Sequence, residues 1–594
     1  MNLAVTQQLR RVDTGRDGER EVSSKRTDLR GCHHLMAGLV TALVLAPWAA
    51  AAGPAHGHRR PGARMREDGT ARHHRTTGHH RMARHHRRGR RPSKHHATSK
   101  HRMTGKWSQI RVISSPGLPF TMEQTRYHTG LTVVVVPLHT PGVLGYGTII
   151  RAGARNEVER GRTGYAHFFE HMMFRGTKRY PPPKYRAVLQ DAGADDNAST
   201  SDDRTFFHIV ARSDALARIA EIEGDRFQHL SYSKQAFQTE ARAVLGEYRK
   251  SMANPWWKMW EVLQKTAFTR HTYRHTAMGF LSDIESMPRH YRYSRTFFKR
   301  YYRPDNAILI VTGDVTRDQV RKVVEQNYET WHGRAHRVRP KAEPAQKRPR
   351  LVRVPWTGRT VPRILIGYRI PAFDPTTVTP AALDVAAKLV FGKTSALYKD
   401  LVLDRRLVSS LKVDLSPHRD PSLFYVMVAL HHPKDIEEVT HRIADALQDA
   451  ATVPASQQAV ARIRSHAKYA LMLDLNTPKA VMDVLMRFVT PRGKASDLAA
   501  YLRQLDKVTP NDVAQVVHRF LVPAKASYVT LYQGTDQTVY TGDGDASGKV
   551  GPTAARSESA RAKTATGPTA SSRRTSRRHA HRRHHRSGHH RRHR

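Results

Sequence analysis

The chain has 594 residues, 39% of them hydrophobic, with 100 Lys and Arg against 51 Asp and Glu, a formal charge of +49, and one cysteine. Several domains fit that length, and a single Cys32 excludes an intramolecular disulfide framework. The charge suggests a polyanion partner but sits mostly at the ends: residues 56–106 contribute +14 and 556–594 contribute +12, in stretches too poor in apolar residues to fold, while 107–555 keep +21.

Residues 35–52 (LMAGLVTALVLAPWAAAA) form an uncharged apolar run behind Arg26 and Arg30. It reads as a signal peptide over 1–52, cleaved near Ala52, with an uncleaved anchor as the alternative. Cleavage would leave no cysteine, which suits the periplasm or exterior, with envelope association through the basic flanks. Residues 53–106 read as a His/Arg-rich linker of HHR-type repeats, and folded sequence begins near Trp107. The β-branched run 131–137 and the segment 143–152 predict strands, 163–174 a helix and 197–211 extended chain. Helices follow over 213–230 and 234–252, the second stopped at Asn254-Pro255, then a strand over 307–312 and a helix over 317–331. Trp256, Trp257 and Trp260 read as packing residues rather than a binding platform. A Pro/Lys/Arg-rich joint covers 336–350. Beyond it come a strand (363–368), a helix (379–391), strands (411–416 and 422–429) and a helix (433–449). The repeated order suggests a duplicated α+β unit over 107–335 and 351–540, with a basic tail over 541–594.

The sharpest chemical signal is His167-Phe-Phe-Glu170-His171. Residues four apart share a helix face, so both imidazoles can hold one cation, and Glu170 projects beside them. Two neutral imidazoles suit Zn²⁺ with room for a third protein ligand and a water, and a carboxylate beside that water can act as general base. The bland alternative is a partly buried histidine pair on an amphipathic helix. For the third ligand, Glu240 and Glu247 lie two turns apart on one helix face, and His208 and His229 compete. Spacing alone leaves that choice open.

GYAHFFEHMMFRGT, then GADDNASTSDDRTFFHIV, then FQTEARAVLGEYRKS resembles, in order and spacing, the catalytic half of the pitrilysin/insulinase family of zinc peptidases. This family, which includes mitochondrial processing peptidase, places a ligand glutamate well downstream of His-x-x-Glu-His, and the interval from His171 to Glu247 matches that spacing. The resemblance covers about 118–535. It implies two similar domains, each a mostly antiparallel sheet with helices, forming a clamshell. It further implies one Zn²⁺ per chain on His167, His171 and Glu247, Glu170 as base, Glu240 supporting the site, and Asn197-Ala198 pairing with an extended substrate. In one respect the chain departs from the pattern. An Arg/Tyr pair that many members carry in the second half falls at Val402 and Ser409, so either a homodimer or a heterodimer with a related subunit that supplies the pair is expected, or catalysis is weaker or differently arranged. The reading is thus a metalloendopeptidase acting on peptides or unfolded segments. The alternative is a non-catalytic polyanion- or metal-binding envelope protein on a peptidase fold. No specific nucleic-acid recognition is expected.

Overall fold

A computed structural model describes residues 105–534 and 540–543. The expected leader and both His/Arg-rich segments fall outside these residues, apart from a few positions at their inner ends. No described helix is long and apolar enough to cross a membrane.

Two sheets form the frame. The first half runs β1 (Trp107–Ile113), β2 (Met122–Tyr127), β3 (Thr132–Pro137), β4 (Val143–Ile150), α1 (Tyr165–Met172), α2 (Pro182–Asp191), β5 (Asp195–Thr200), β6 (Thr205–Arg212), α3 (Leu216–His229), α4 (Lys234–Met252), α5 (Pro255–Ala267), α6 (Leu281–Ser286), α7 (Tyr291–Tyr301), β7 (Ala307–Gly313) and α8 (Arg317–Tyr328). The second continues with β8 (Arg350–Trp356), β9 (Arg363–Ile370), α9 (Thr379–Phe391), α10 (Ala396–Tyr398), β10 (Val408–Asp414), β11 (Ser422–Leu430), α11 (Ile436–Thr452), α12 (Gln457–Asp474), α13 (Pro478–Arg492), α14 (Ser496–Leu505), α15 (Pro510–Phe520), β12 (Ala526–Gln533) and β13 (Tyr540–Asp543).

Strand order is β1-β2-β3-β7-β4-β6-β5 in one sheet and β10-β11-β9-β12-β8-β13 in the other. Reading β3-β7-β4-β6-β5 beside β8-β12-β9-β11-β10 gives the same sequence of pairings: one parallel, then three antiparallel. The duplication suggested by element order is therefore visible in topology. The neighbouring strands β3 and β7 are mostly apolar (Val133–Val136 and Ala307–Val311) and buried along those runs, as strands covered on both faces are.

Each half lends a helix to the other's sheet. Pro255, which ends α4, also starts α5: Asn254 caps it by accepting the Trp256 N–H, and proline is tolerated in a first helical turn. Met259 and Leu263 of α5 are fully buried against Leu365, Leu423, Val529 and Leu531 of the second sheet. Trp260 stacks on Tyr425 with ring centroids 4.2 Å apart. Gly367 lies directly beneath α5: a Cβ there would lie 3.1 Å from Leu263 Cδ2, a tight contact. In return α13 packs on β4 and β7. Its Met482 shares a buried cluster with Ile149, Ile308 and Ile310, and Thr312 Oγ1 donates to Pro478 O at 2.8 Å.

Because α5 belongs to one half and its socket to the other, Leu263→Ala should destabilise both together. The expected loss is about 2–5 kcal/mol, read as a single shifted transition in urea denaturation; two separated transitions would contradict the shared core.

Candidate metal centre

Helix α1 is short, and its placement rests on a few contacts. Its N-cap, Gly164, has φ +86°, a left-handed conformation that disfavours side chains, and a Cβ there would lie 2.6 Å from Met278 O. Glu157 accepts the orphan Gly164 and Ala166 N–H groups at 2.8 and 2.7 Å. Burial pushes the Glu157 carboxyl up to about 8, opposed by those hydrogen bonds. Phe168 packs edge-on against Phe237 of α4 and Phe169 stacks on Phe297 of α7, seating α1 with one further face toward the middle of α4 and the end of β5.

That face carries His167, Glu170 and His171, and α4 brings Glu240 and Glu247 to it. His167 and Glu170 are 2% exposed. His171 Nε2 lies 3.4 Å from His167 Nε2 and 3.2 Å from Glu247 Oε2, while His167 Nε2 is 3.7 Å from Glu247 Oε1. Taken with one donor atom per residue, the three stay within 4.8 Å of one another. Ligands on a tetrahedral zinc at about 2.0–2.1 Å stand roughly 3.3–3.4 Å apart. Two imidazole nitrogens and a carboxylate at these spacings fit that ion with little movement.

Glu240 is placed differently. Its Oε1 accepts from His171 Nδ1 at 3.0 Å, and its Oε2 accepts from Arg175, whose Nε is 2.7 Å away. This fixes the His171 tautomer and aims Nε2 at the cluster. Burial alone would push the His171 imidazolium down, but the hydrogen bonds with Glu240 and Glu247 prevail and raise it to about 10. His167 is held low by burial and by the neighbouring His171 charge. Burial opposes ionisation of Glu240 and Glu247, yet the hydrogen bond to His171 and the adjacent cations bring both below the usual carboxylate range. A metal at this site would compete with a proton for His171 Nε2.

Sequence reasoning did not find Arg175, Glu157 or Thr200. Thr200 Oγ1 donates to Glu170 Oε2 at 2.6 Å, tying the end of β5 to α1. The extended segment expected over 197–211 is a hairpin, with Asn197 and Ala198 on β5, the outermost strand of its sheet. His208 sits on β6 and His229 lies at the end of α3; neither joins the cluster. Val402 lies in a π-helical turn, and Ser409 Oγ donates to Ala429 O at 3.1 Å.

Residues 133–279 match the family model described as insulinase (peptidase family M16), and residues 293–466 match the peptidase M16 inactive domain. The zinc protease PqqE of Helicobacter pylori is 30% identical over 308 residues, covering 51% of this chain and 68% of that protein. A mitochondrial-processing peptidase subunit beta from Blastocladiella emersonii is 22% identical over 368 residues, 60% of this chain and 77% of the relative. Among solved structures, a protease from Helicobacter pylori superposes with a TM-score of 0.65 at 26% identity, covering 69% of this chain and 99% of that one. The periplasmic protease PqqL from Escherichia coli gives 0.58 at 16% identity, covering 72% of this chain and 48% of the other, a likeness of fold alone.

The seating of α1 can be tested apart from any chemistry. Glu157→Ala leaves the Gly164 and Ala166 N–H groups buried without an acceptor, so a loss of about 1–3 kcal/mol is expected in chemical denaturation. A variant as stable as the parent would show that the cap does not hold the helix.

Proposed function

The chain belongs to the insulinase family, peptidase family M16, and from that membership we propose that it is a zinc metallopeptidase hydrolysing peptides or unfolded polypeptide segments. The observation that carries this reading is the convergence of His167, His171 and Glu247 at the ligand spacing of one tetrahedral ion. Zinc held there, one per chain, would supply a Lewis acid for the scissile carbonyl and lower the pKa of water at the site. Glu170 is assigned as general base: it takes a proton from the attacking water and returns it to the leaving amine nitrogen. Thr200 holds one of its oxygens in place, and Glu240 with Arg175 holds His171.

An extended substrate would add to the outer edge of β5 at Asn197 and Ala198. The Ala198 N–H donates to Asn197 Oδ1 at 2.8 Å, so a strand using that N–H first displaces the Asn197 amide. With Val402 and Ser409 at the Arg/Tyr positions, a second, related subunit is the proposed source of that pair. An exported location, with the His/Arg-rich ends attaching to envelope polyanions, completes the reading.

The test compares the parent with Glu170→Gln on a quenched peptide. Glu170→Gln should keep one zinc per chain by elemental analysis while activity falls about 10²- to 10⁴-fold. Replacing His167 by Ala should lose the metal as well. Equal rates for the parent and Glu170→Gln, with chelator making no difference, would overturn the assignment.

A further inference from the structure

The tip of the β5–β6 hairpin, residues 201–204, is gripped from both halves of the chain: in the first half the Ala154 and Arg155 N–H groups donate to Ser201 O and Asp202 O at 3.3 and 2.8 Å, and the second half adds side-chain and backbone contacts to its two aspartates. Asp202 Oδ2 accepts from His418 Nε2 at 3.2 Å, and the other ring nitrogen, Nδ1, donates to Ser416 O at 2.8 Å. Asp203 Oδ2 accepts the backbone N–H of Arg419 at 2.9 Å, and its Oδ1 accepts the Tyr273 hydroxyl at 2.7 Å. His418 and Arg419 lie in the loop joining β10 to β11. Asp203 is 3% exposed, and the side chains of His418 and Asp202 are 13% and 16% exposed, so these contacts are shielded from water.

Thr200 is the last paired residue before this tip, opposite Thr205, and its hydroxyl binds Glu170. Among the described residues β5 has one strand neighbour, β6, so its outer side brings no ladder to hold it. Where its last residues lie is set by β6, by the Ala154, Arg155 and Tyr273 contacts of its own half, and by the β10–β11 loop. With both ring nitrogens facing acceptors, His418 bonds as an imidazolium, and charge-assisted hydrogen bonds of this kind are the stronger ones. Although burial disfavours that cation, Asp202 outweighs it and raises the pKa to about 9.

We propose that the β10–β11 loop is a positioning element for proton transfer: by gripping Asp202 and Asp203, His418 and Arg419 hold Thr200, and through it Glu170, in line with the histidine pair. The second half then shapes the site without contributing to the metal-ligand cluster. This inference rests on the reading of Glu170 as general base.

Asp202→Asn and His418→Gln in the full chain test it, each alone and each combined with Thr200→Val. Zinc content should stay at one per chain, and kcat should fall about tenfold in each single variant. Hydrogen exchange of the β5 amides should speed up even in the metal-free protein. In the Thr200→Val background neither change should lower kcat further, because the route through Thr200 is already cut; a merely structural effect would multiply. Full kcat in both single variants, unchanged β5 exchange, or multiplicative losses with Thr200→Val would each overturn the proposal. Should His418→Gln fail to fold, Asp202→Asn, which conserves shape, carries the test. A parent chain with no zinc-dependent activity would sink the peptidase reading instead, and β5 exchange would still judge the grip.

Discussion

The reciprocal loan of α5 and α13 is the constraint on which the rest of the molecule depends. Leu263 and Met259 complete a core made of β9, β11 and β12, while Met482 completes one made of β4 and β7. Neither sheet can bury one of its faces without the other half of the chain. Apolar burial of this kind is non-directional, but the exchange makes it specific, because pulling the halves apart would expose both cores at once. Two similar units are thereby locked at one relative placement, and a loop between β10 and β11 can meet a hairpin from far earlier in the chain at hydrogen-bond distance.

Within that frame the site is a chain of alternating charges. Arg175 holds Glu240, Glu240 holds His171, and His171 faces His167 and Glu247. Each link satisfies a group that burial would otherwise penalise, which is how three carboxylates and two imidazoles share so small a space. The arrangement points two Nε2 atoms and a carboxylate inward at one spot. Such a group of donor atoms could hold a metal ion.

Much of this could be read from the residues. The expected bounds of α4 and α9 agree with the structure, since strong helical periodicity and clear stops define both. His167, Glu170 and His171 on one face required only helical geometry. Other features were not read from the sequence. Helices α12 to α15 lie beyond the elements that the sequence predicts, and the segment 197–211 conceals a hairpin whose turn at 201–204 closes locally, Ser201 N–H donating to Arg204 O at 2.9 Å, while distant loops add polar contacts to its aspartates. Arg175 stands one helical turn after His171, but nothing nearby in sequence marks Glu240 as its partner. Trp256 and Trp260 read as packing residues in the sequence, yet nothing there says that their helix serves the other half's sheet.

Local covalent spacing fixed the His-x-x-Glu-His trio and the helices that carry it, because helical and strand periodicities act over a few bonds. Resemblance to a peptidase family singled out Glu247, a choice that spacing left open. Only the tertiary structure decided which groups meet: that Glu247 stands with the two Nε2 atoms while Glu240 bridges His171 Nδ1 and Arg175, that His208 and His229 stand apart, and that Thr200 reaches Glu170. Those outcomes depend on how two sheets and two exchanged helices pack, and packing brings together residues whose separation along the chain carries no information about distance.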